Sequence, residues 1–327
     1  MKDVIVAKFG GSSLADGSQF IKVKDIISGD SSRRYIVPSA PGKRYSEDHK
    51  ITDLLYMCHQ LASHRINFDE VYAVISKRYE DICIELGLKL NIKDILSEIK
   101  VRIAEGASSD YAASRGEYLN AIILSEYLGF KFVDAPEIIV FDCDNNFDLN
   151  KTTAKIRAKL EGIEYAVIPG FYGKNEKGEI VTFSRGGSDI TGSIIASSIK
   201  CRLYENWTDV SGFLMADPKI INDPKPIKSI TYKELRELSY MGAPILHEEA
   251  IFPIKHTGIP INIKNTNFPE DYGTMIVDDL SPAASPETIT GISGKKNFTV
   301  ISIEKAMMSY EKGFLRKLIS VMESNDI

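Results

Sequence analysis

The chain has 327 residues, 43% of them hydrophobic, and its 40 basic and 45 acidic side chains leave a net charge of -5. That is enough apolar material for one large globular domain or two. There is no basic excess of the kind that nucleic-acid binding needs, and the apolar runs, 121–124 and 138–141 among them, are far too short to cross a bilayer. Cys58, Cys83, Cys143 and Cys201 are widely separated with no C-x-x-C pair, so they read as small buried hydrophobes in a reducing compartment. Met1-Lys2-Asp3 runs directly into Val4, which reads as a strand start and not a signal peptide; a cytoplasmic protein with no nucleic-acid or membrane partner is the expectation.

Residues 4–9 form a buried-strand run closed by Gly10-Gly11, and Leu14, Phe20, Val23, Ile26 and Ile27 then recur at helical spacing up to Gly29. A second strand at 35–37 ends in Ser39-Ala40-Pro41-Gly42. Helical patterns cover 51–62, 68–86, 92–104 and 111–128, the last stopped by Gly129. Strands are predicted at 130–134, 138–141 and 165–169, with a helix at 151–160. Residues 171–183 read as a hairpin turning at 174–178, followed by a helix at 190–199 and a strand at 202–207. Residues 211–228, rich in Pro, Asp and Gly, read as a long loop, and Thr231-x-x-Glu234 is a capping box opening a helix to about Tyr240. A helix near 248–256 and strands at 259–263 and 274–277 follow. This alternation implies an α/β fold with a mainly parallel central sheet sandwiched by helices. The Ser/Pro/Ala run at 281–287 marks a linker. The expected division is therefore a main domain at 1–280, a linker at 281–290 and a partial α+β tail at 291–327. That tail, with a strand at 298–303 and a helix from about Lys312, is too small to bury a core alone.

Four stretches could carry chemistry. Lys8-Phe9-Gly10-Gly11-Ser12-Ser13 sits at a strand's carboxyl end, the edge where parallel sheets bind ligands. Its glycines let backbone N–H groups approach a phosphate, and Lys8 can neutralise phosphoryl oxygens; the plain alternative is a tight turn with a surface lysine. Ser184-Arg185-Gly186-Gly187-Ser188-Asp189 precedes a helix, with Arg185 offering a carboxylate-binding fork and Asp189 able to position a lysine or metal, whereas Ser188 or Asp189 could also simply cap the helix. Ser114-Arg115-Gly116-Glu117 places a costly glycine in mid-helix next to a carboxylate that could hold an ammonium group; taken alone it reads as an Arg/Glu pair on a solvated face. Trp207-Thr208-Asp209-Val210-Ser211-Gly212, continuing to Asp217-Pro218-Lys219, reads as a strand end opening into a loop suited to a nucleotide, or as a solvated connection built on Asx turns. Neither a Walker loop, G-x-G-x-x-G, H-R-D nor D-F-G occurs, and the five histidines show no metal-ligand spacing, so no protein-built metal site is expected.

In this order the stretches resemble aspartate kinase, of the amino-acid-kinase superfamily. The match runs through 8–13, Ser39-Ala40, Ile51-Thr52-Asp53-Leu54-Leu55, 114–117, 184–189, 207–212, Asp217-Pro218, Gly242-Ala243 and Leu246-His247, and spans residues 4 to about 277. The resemblance implies transfer of the γ-phosphoryl group of ATP to L-aspartate, giving 4-phospho-L-aspartate and ADP. It implies that Lys8 and Asp189 are catalytic and that Thr52, Glu117, Arg185 and Ser188 bind the amino acid. Lys8, Gly10, Gly11, Ser39, Thr208, Asp209, Asp217 and Lys219 would serve ATP, with Mg2+ carried in on the phosphates. Two positions depart from the family pattern: Pro244 stands where a basic residue is common, and Leu214 where an aromatic often meets adenine. Residues 291–327 resemble the opening strand and helix of an ACT domain, which implies a homodimer or higher homo-oligomer when that region is complete. The rival readings are a superfamily kinase for glutamate, N-acetylglutamate or UMP, and a catalytically silent regulatory subunit.

Overall fold

The computed structural model describes residues 3–184, 186–240, 248–255, 257–279, 289–294, 299, 301–308 and 311–326. In chain order its elements begin with β1 (Ile5–Phe9), a 3-10 turn (Ser12–Leu14), α1 (Gly17–Ser28), β2 (Arg33–Pro38), α2 (Ile51–Ser63), α3 (Asp69–Glu85), α4 (Ile92–Ala104) and α5 (Ser109–Leu128). They continue through β3 (Lys131–Phe132), α6 (Ala135–Ile138), α7 (Leu149–Leu160), β4 (Ala166–Val167), the hairpin β5 (Tyr172–Lys174) and β6 (Ile180–Thr182), α8 (Gly187–Ile199) and β7 (Leu203–Thr208). Next come β8 (Phe213–Leu214), β9 (Pro226–Ile227), β10 (Ser229–Thr231), α9 (Tyr232–Tyr240), α10 (Glu248–Lys255), β11 (Ile261–Asn265), β12 (Thr274–Val277) and α11 (Phe314–Glu323).

Among the described residues, eight strands form one sheet in the order β10-β12-β11-β7-β1-β2-β4-β3. β1 lies near its centre, parallel to both neighbours, with Lys8 level with Val37 of β2 and Asn206 of β7. The β11–β12 pair is antiparallel, so the sheet is mainly parallel, as the alternation of elements predicts. Strand side chains alternate between faces, which sorts the core into two layers. Val4 and Val6 pack with Ile190, Ile194 and Ile195 of α8 on one face; Ala7, Phe9 and Trp207 pack with α1 to α5 on the other. The charged residues of the central strands therefore have assigned sides, and Lys8 shares the α8 side with Val6.

Several predicted elements are corrected. Residues 138–141 are not a strand: Pro136 starts the short α6, a place where its missing N–H costs nothing, and Val140 and Phe141 make only isolated bridges. The 211–228 loop contains the small antiparallel pair β8–β9. In the tail, residues 299 and 301–303 are not in a strand, although the helix is present as α11. The 281–287 linker lies outside the described residues. The capping box is present, with the Thr231 N–H donating to Glu234 Oε2 (2.9 Å) and the Glu234 N–H to Thr231 Oγ1 (3.2 Å). The chain divides into two compact units, Met1–Ser293 and Gly294–Ile327. Among the described residues no helix is long and apolar enough to cross a membrane.

Candidate active site

Lys8 is the fourth residue of β1, at the sheet's carboxyl edge, and is only 7% exposed. A buried ammonium needs partners. Among the described residues it has two: Asp189 Oδ1 at 2.7 Å and Asn206 Oδ1 at 3.4 Å. Asp189 belongs to the first turn of α8, where the helix dipole favours a carboxylate. The residue capping this helix is Gly186, at φ 75°, so neither Ser188 nor Asp189 serves as its N-cap; that part of the sequence reading is corrected, and the carboxylate is left for Lys8. Ser188 is buried and packs on Gly170, where a β-carbon would come within 2.7 Å of its Oγ. Arg185 lies outside the described residues, as do Gly242, Ala243, Pro244, Leu246 and His247.

The glycine turn after β1 is shaped by a strap, residues 39–48. The Ser39 N–H donates to the Phe9 carbonyl (3.0 Å) and the Gly42 N–H to the Gly11 carbonyl (2.8 Å). At Gly11 a side chain would press into that strap, its β-carbon 2.9 Å from the Ala40 oxygen. Gly10 is different: its N–H is committed to the Trp207 carbonyl (2.9 Å), and a β-carbon there would meet only ordinary contacts. The strap's far end is anchored from α3. Arg78, buried, donates to Asp48 Oδ2 (2.6 Å) and to the Gly42 (3.1 Å) and Ala15 (3.3 Å) carbonyls. Arg44 adds a second ion pair to Asp48 (2.9 Å), and these guanidinium contacts hold the Asp48 carboxyl far below the usual carboxylate range.

Residues 114–117 are not a solvated face, as they read in isolation. Arg115 and Glu117 are each 6% exposed. Arg115 lies against the rings of Tyr111, Tyr118 and Tyr172, with its centre 4.4–5.2 Å from theirs, and donates to Ser114 Oγ. Glu117 faces the strap. Burial pushes its carboxyl up to about 7, opposed by the Ala40 backbone N–H and the charges of Arg115 and Lys8. Its Oε2 is buried and has no hydrogen-bond partner among the described residues. That leaves an acceptor with negative character and nothing to receive. Three residues on, Asn120 donates to the Ser39 carbonyl (2.7 Å), fixing the strap against α5. Thr52 is half-buried in the first turn of α2, beside Ile51, which packs near Gly116.

The nucleotide-side candidates are more dispersed. Thr208 ends β7 and its hydroxyl donates to Asp209 (3.1 Å), which is exposed. Asp217 and Lys219 are exposed in the 209–225 segment and form a local turn, the Lys219 N–H donating to Asp217 Oδ1 (2.8 Å). Among the described residues no hydrogen bond or ion pair joins Asp209, Asp217 or Lys219 to Lys8, Asp189 or Glu117. Leu214 is 41% exposed on β8. Asn206, Asn120, Asp48 and Arg78 carry the geometry without belonging to any motif. The available signal was a polar Asn inside an otherwise buried strand and an arginine on the apolar face of α3.

The described geometry can be set beside known proteins. Residues 3–265 match the model of the amino acid kinase family. Aspartokinase 3 of Bacillus subtilis is 36% identical over 98% of this chain and 74% of its own length. The crystal structure of aspartate kinase from Clostridium acetobutylicum superposes with a TM-score of 0.92 at 58% identity, covering 98% of this chain and 74% of that one. Escherichia coli aspartokinase III in complex with aspartate and ADP shares the fold, with a TM-score of 0.74 at 24% identity over 85% of this chain and 65% of its own.

Proposed function

The chain belongs to the amino acid kinase family and, within it, to the aspartokinases, and from that premise we propose that Lys8, Asp189 and Glu117 form its reaction centre. The reaction moves the terminal phosphoryl group of ATP to the side-chain carboxylate of L-aspartate, giving 4-phospho-L-aspartate and ADP, a first step toward lysine, threonine and methionine. The acceptor carboxylate is already anionic at neutral pH, so no general base is needed. The obstacle is repulsion between anions, and catalysis is positioning plus charge cancellation.

Lys8 supplies the cancellation. An ammonium has three donors. One is directed to Asp189 and one to Asn206, which leaves one for a γ-phosphoryl oxygen in flight. Glu117 takes the ammonium of aspartate on the orphaned Oε2, Arg185 its α-carboxylate, and Thr52 and Ser188 help orient it. Gly10, Gly11 and Ser39 line the phosphate path, with Thr208, Asp209, Asp217 and Lys219 on the nucleotide side. Mg2+ would be held by the nucleotide's own oxygens and would add positive charge across the phosphates. Asp189 suits it chemically, because among the described residues the contacts to this carboxylate fall on Oδ1. Among the described residues no three His, Cys, Asp or Glu side chains converge to hold a metal unaided. The cytoplasm, as the reducing compartment, is the setting for this reading. Residues 291–327 would open an ACT domain, and when that region is complete copies would assemble through it as a homodimer or larger oligomer; exposed Leu315, Ile319 and Val321 on α11 suit such a contact.

The observation that carries the proposal is the Lys8–Asp189 ion pair set beside an unsatisfied buried glutamate oxygen. ADP release measured against L-aspartate, L-glutamate, N-acetylglutamate and UMP tests it. Aspartate should be the preferred acceptor; preference for another would overturn the assignment.

A further inference from the structure

β7 holds Asp189 at two points from one face. Its side chains alternate, so Tyr204, Asn206 and Thr208 share a side while Glu205 and Trp207 share the other. The second set is accounted for structurally: Glu205 accepts from Arg33 (2.7 and 3.1 Å) and from the Trp207 indole N–H (2.8 Å). The first set grips α8. The Tyr204 hydroxyl donates to the Asp189 backbone carbonyl (3.2 Å), and Gly192 makes room for that ring, since a β-carbon at 192 would lie 2.5 Å from the hydroxyl oxygen. The Asn206 amide donates to Asp189 Oδ1 (2.7 Å) while its own oxygen accepts from Lys8 (3.4 Å). Asn206 is 3% exposed. Both ends of its amide are thus used, and the use fixes its orientation: turned over, it would set oxygen against the carboxylate and N–H groups against the ammonium.

A lysine and an aspartate alone would leave the carboxylate free to rotate about its Cβ–Cγ bond, and could let it take two of the ammonium's protons. A third group donating to the same oxygen fixes the carboxylate plane and holds Lys8 to a single bond with it. We infer that Asn206 is a positioning residue for phosphoryl transfer: its amide locks Asp189 and aims Lys8, while touching neither substrate. The inference rests on the roles given above to Lys8 and Asp189.

The test uses the full chain with Asn206→Leu, which keeps the branched shape and removes both hydrogen bonds, and Asn206→Asp, which exchanges the donor for a carboxyl. Lys8→Ala is run beside them. Asn206→Leu should lower kcat roughly 100-fold, as expected for misplacement of a reacting group by about 1 Å, with KM for aspartate and for ATP nearly unchanged. In Asn206→Asp the introduced group repels Asp189 when ionised, but when protonated its O–H can donate as the amide does. Its kcat relative to wild type should therefore rise as pH is lowered from about 9 toward 6, a response a merely structural residue would not give. Normal kcat in Asn206→Leu, or a loss confined to melting temperature with full activity in the folded fraction, overturns the inference. A pH-independent ratio for Asn206→Asp does the same. If Lys8→Ala is itself fully active, the underlying reading fails; if it is inactive and both Asn206 variants are normal, only the inference fails.

Discussion

Gly116 and Ala40 meet so closely that a β-carbon at position 116 would lie 2.7 Å from that of Ala40. This explains a glycine in the middle of the twenty-residue α5. Without a side chain there, the helix lies directly against the strap, and Glu117 is delivered to its face. Two effects oppose each other in Gly116→Ala. Helix propensity favours alanine by about 1 kcal/mol, and overpacking costs about 1–3 kcal/mol. Overpacking should win because Ala40 is a short side chain with no rotamer to yield. The expected variant melts lower, and its KM for aspartate rises about tenfold as Glu117 is pushed off the strap. A variant of raised melting temperature and unchanged KM would show that the contact is loose.

Burial of the Glu117 carboxyl works against folding at alkaline pH. Its folded value near 7 is above that of an ordinary glutamate. Between the two values the folded state holds a proton that the unfolded chain has released, so stability falls as pH rises through that window. Glu117→Gln removes this dependence. At pH 8 the variant should be more stable than wild type by roughly 3 kcal/mol, with little difference near pH 4.5, and it should bind aspartate far more weakly. Denaturant titrations at the two pH values check the sign. Equal stability gains at both would mean that the carboxylate carries no burial penalty.

The Arg78–Asp48 pair makes the strap a fixed wall. Both side chains are buried, and Arg78 also serves two carbonyls. Arg78→Leu leaves the Asp48 carboxylate to Arg44 and the nearby backbone N–H groups, strands the Gly42 and Ala15 carbonyl contacts, and should cost about 1–3 kcal/mol. Because the folded Asp48 value is depressed, its contribution is fully present above the ordinary carboxylate range, begins to be lost as pH falls below that range, and is gone only once pH has fallen through the depressed folded value. The destabilisation by Arg78→Leu should therefore shrink in acid. Chemical denaturation at pH 7 and pH 3 measures this, and a loss of equal size at both would assign the effect to the carbonyl contacts instead.

Much of this was legible from local signals. Lys8 and Asp189 both follow from glycine turns at strand-to-helix junctions, and α4 was bounded correctly because Leu96, Ile99 and Ile103 repeat on one buried face. What the sequence hid depended on distant neighbours. Arg115 and Glu117 looked solvated because a polar pair on a helix carries no sign of the three tyrosine rings or the strap that cover it. Asn206 sits between Glu205 and Trp207 with no motif to mark it, and only the β1–β7 register sets it level with Lys8. Residues 138–141 read as a strand because an apolar run of four suits a strand as well as a helix end; the fold instead ends α6 there, with Pro136 in its first turn. The nucleotide-side residues lie on exposed turns, where sequence and fold say little about which groups converge.

The most direct measurement of the central claim is the turnover of Lys8→Ala with aspartate and ATP both saturating. If the Lys8 ammonium cancels charge in the transferring phosphoryl group, kcat should fall by at least about a thousandfold, while calorimetry still detects aspartate bound through Glu117. Turnover within tenfold of wild type would contradict the account, because Lys8 would then serve only to hold Asp189 in place.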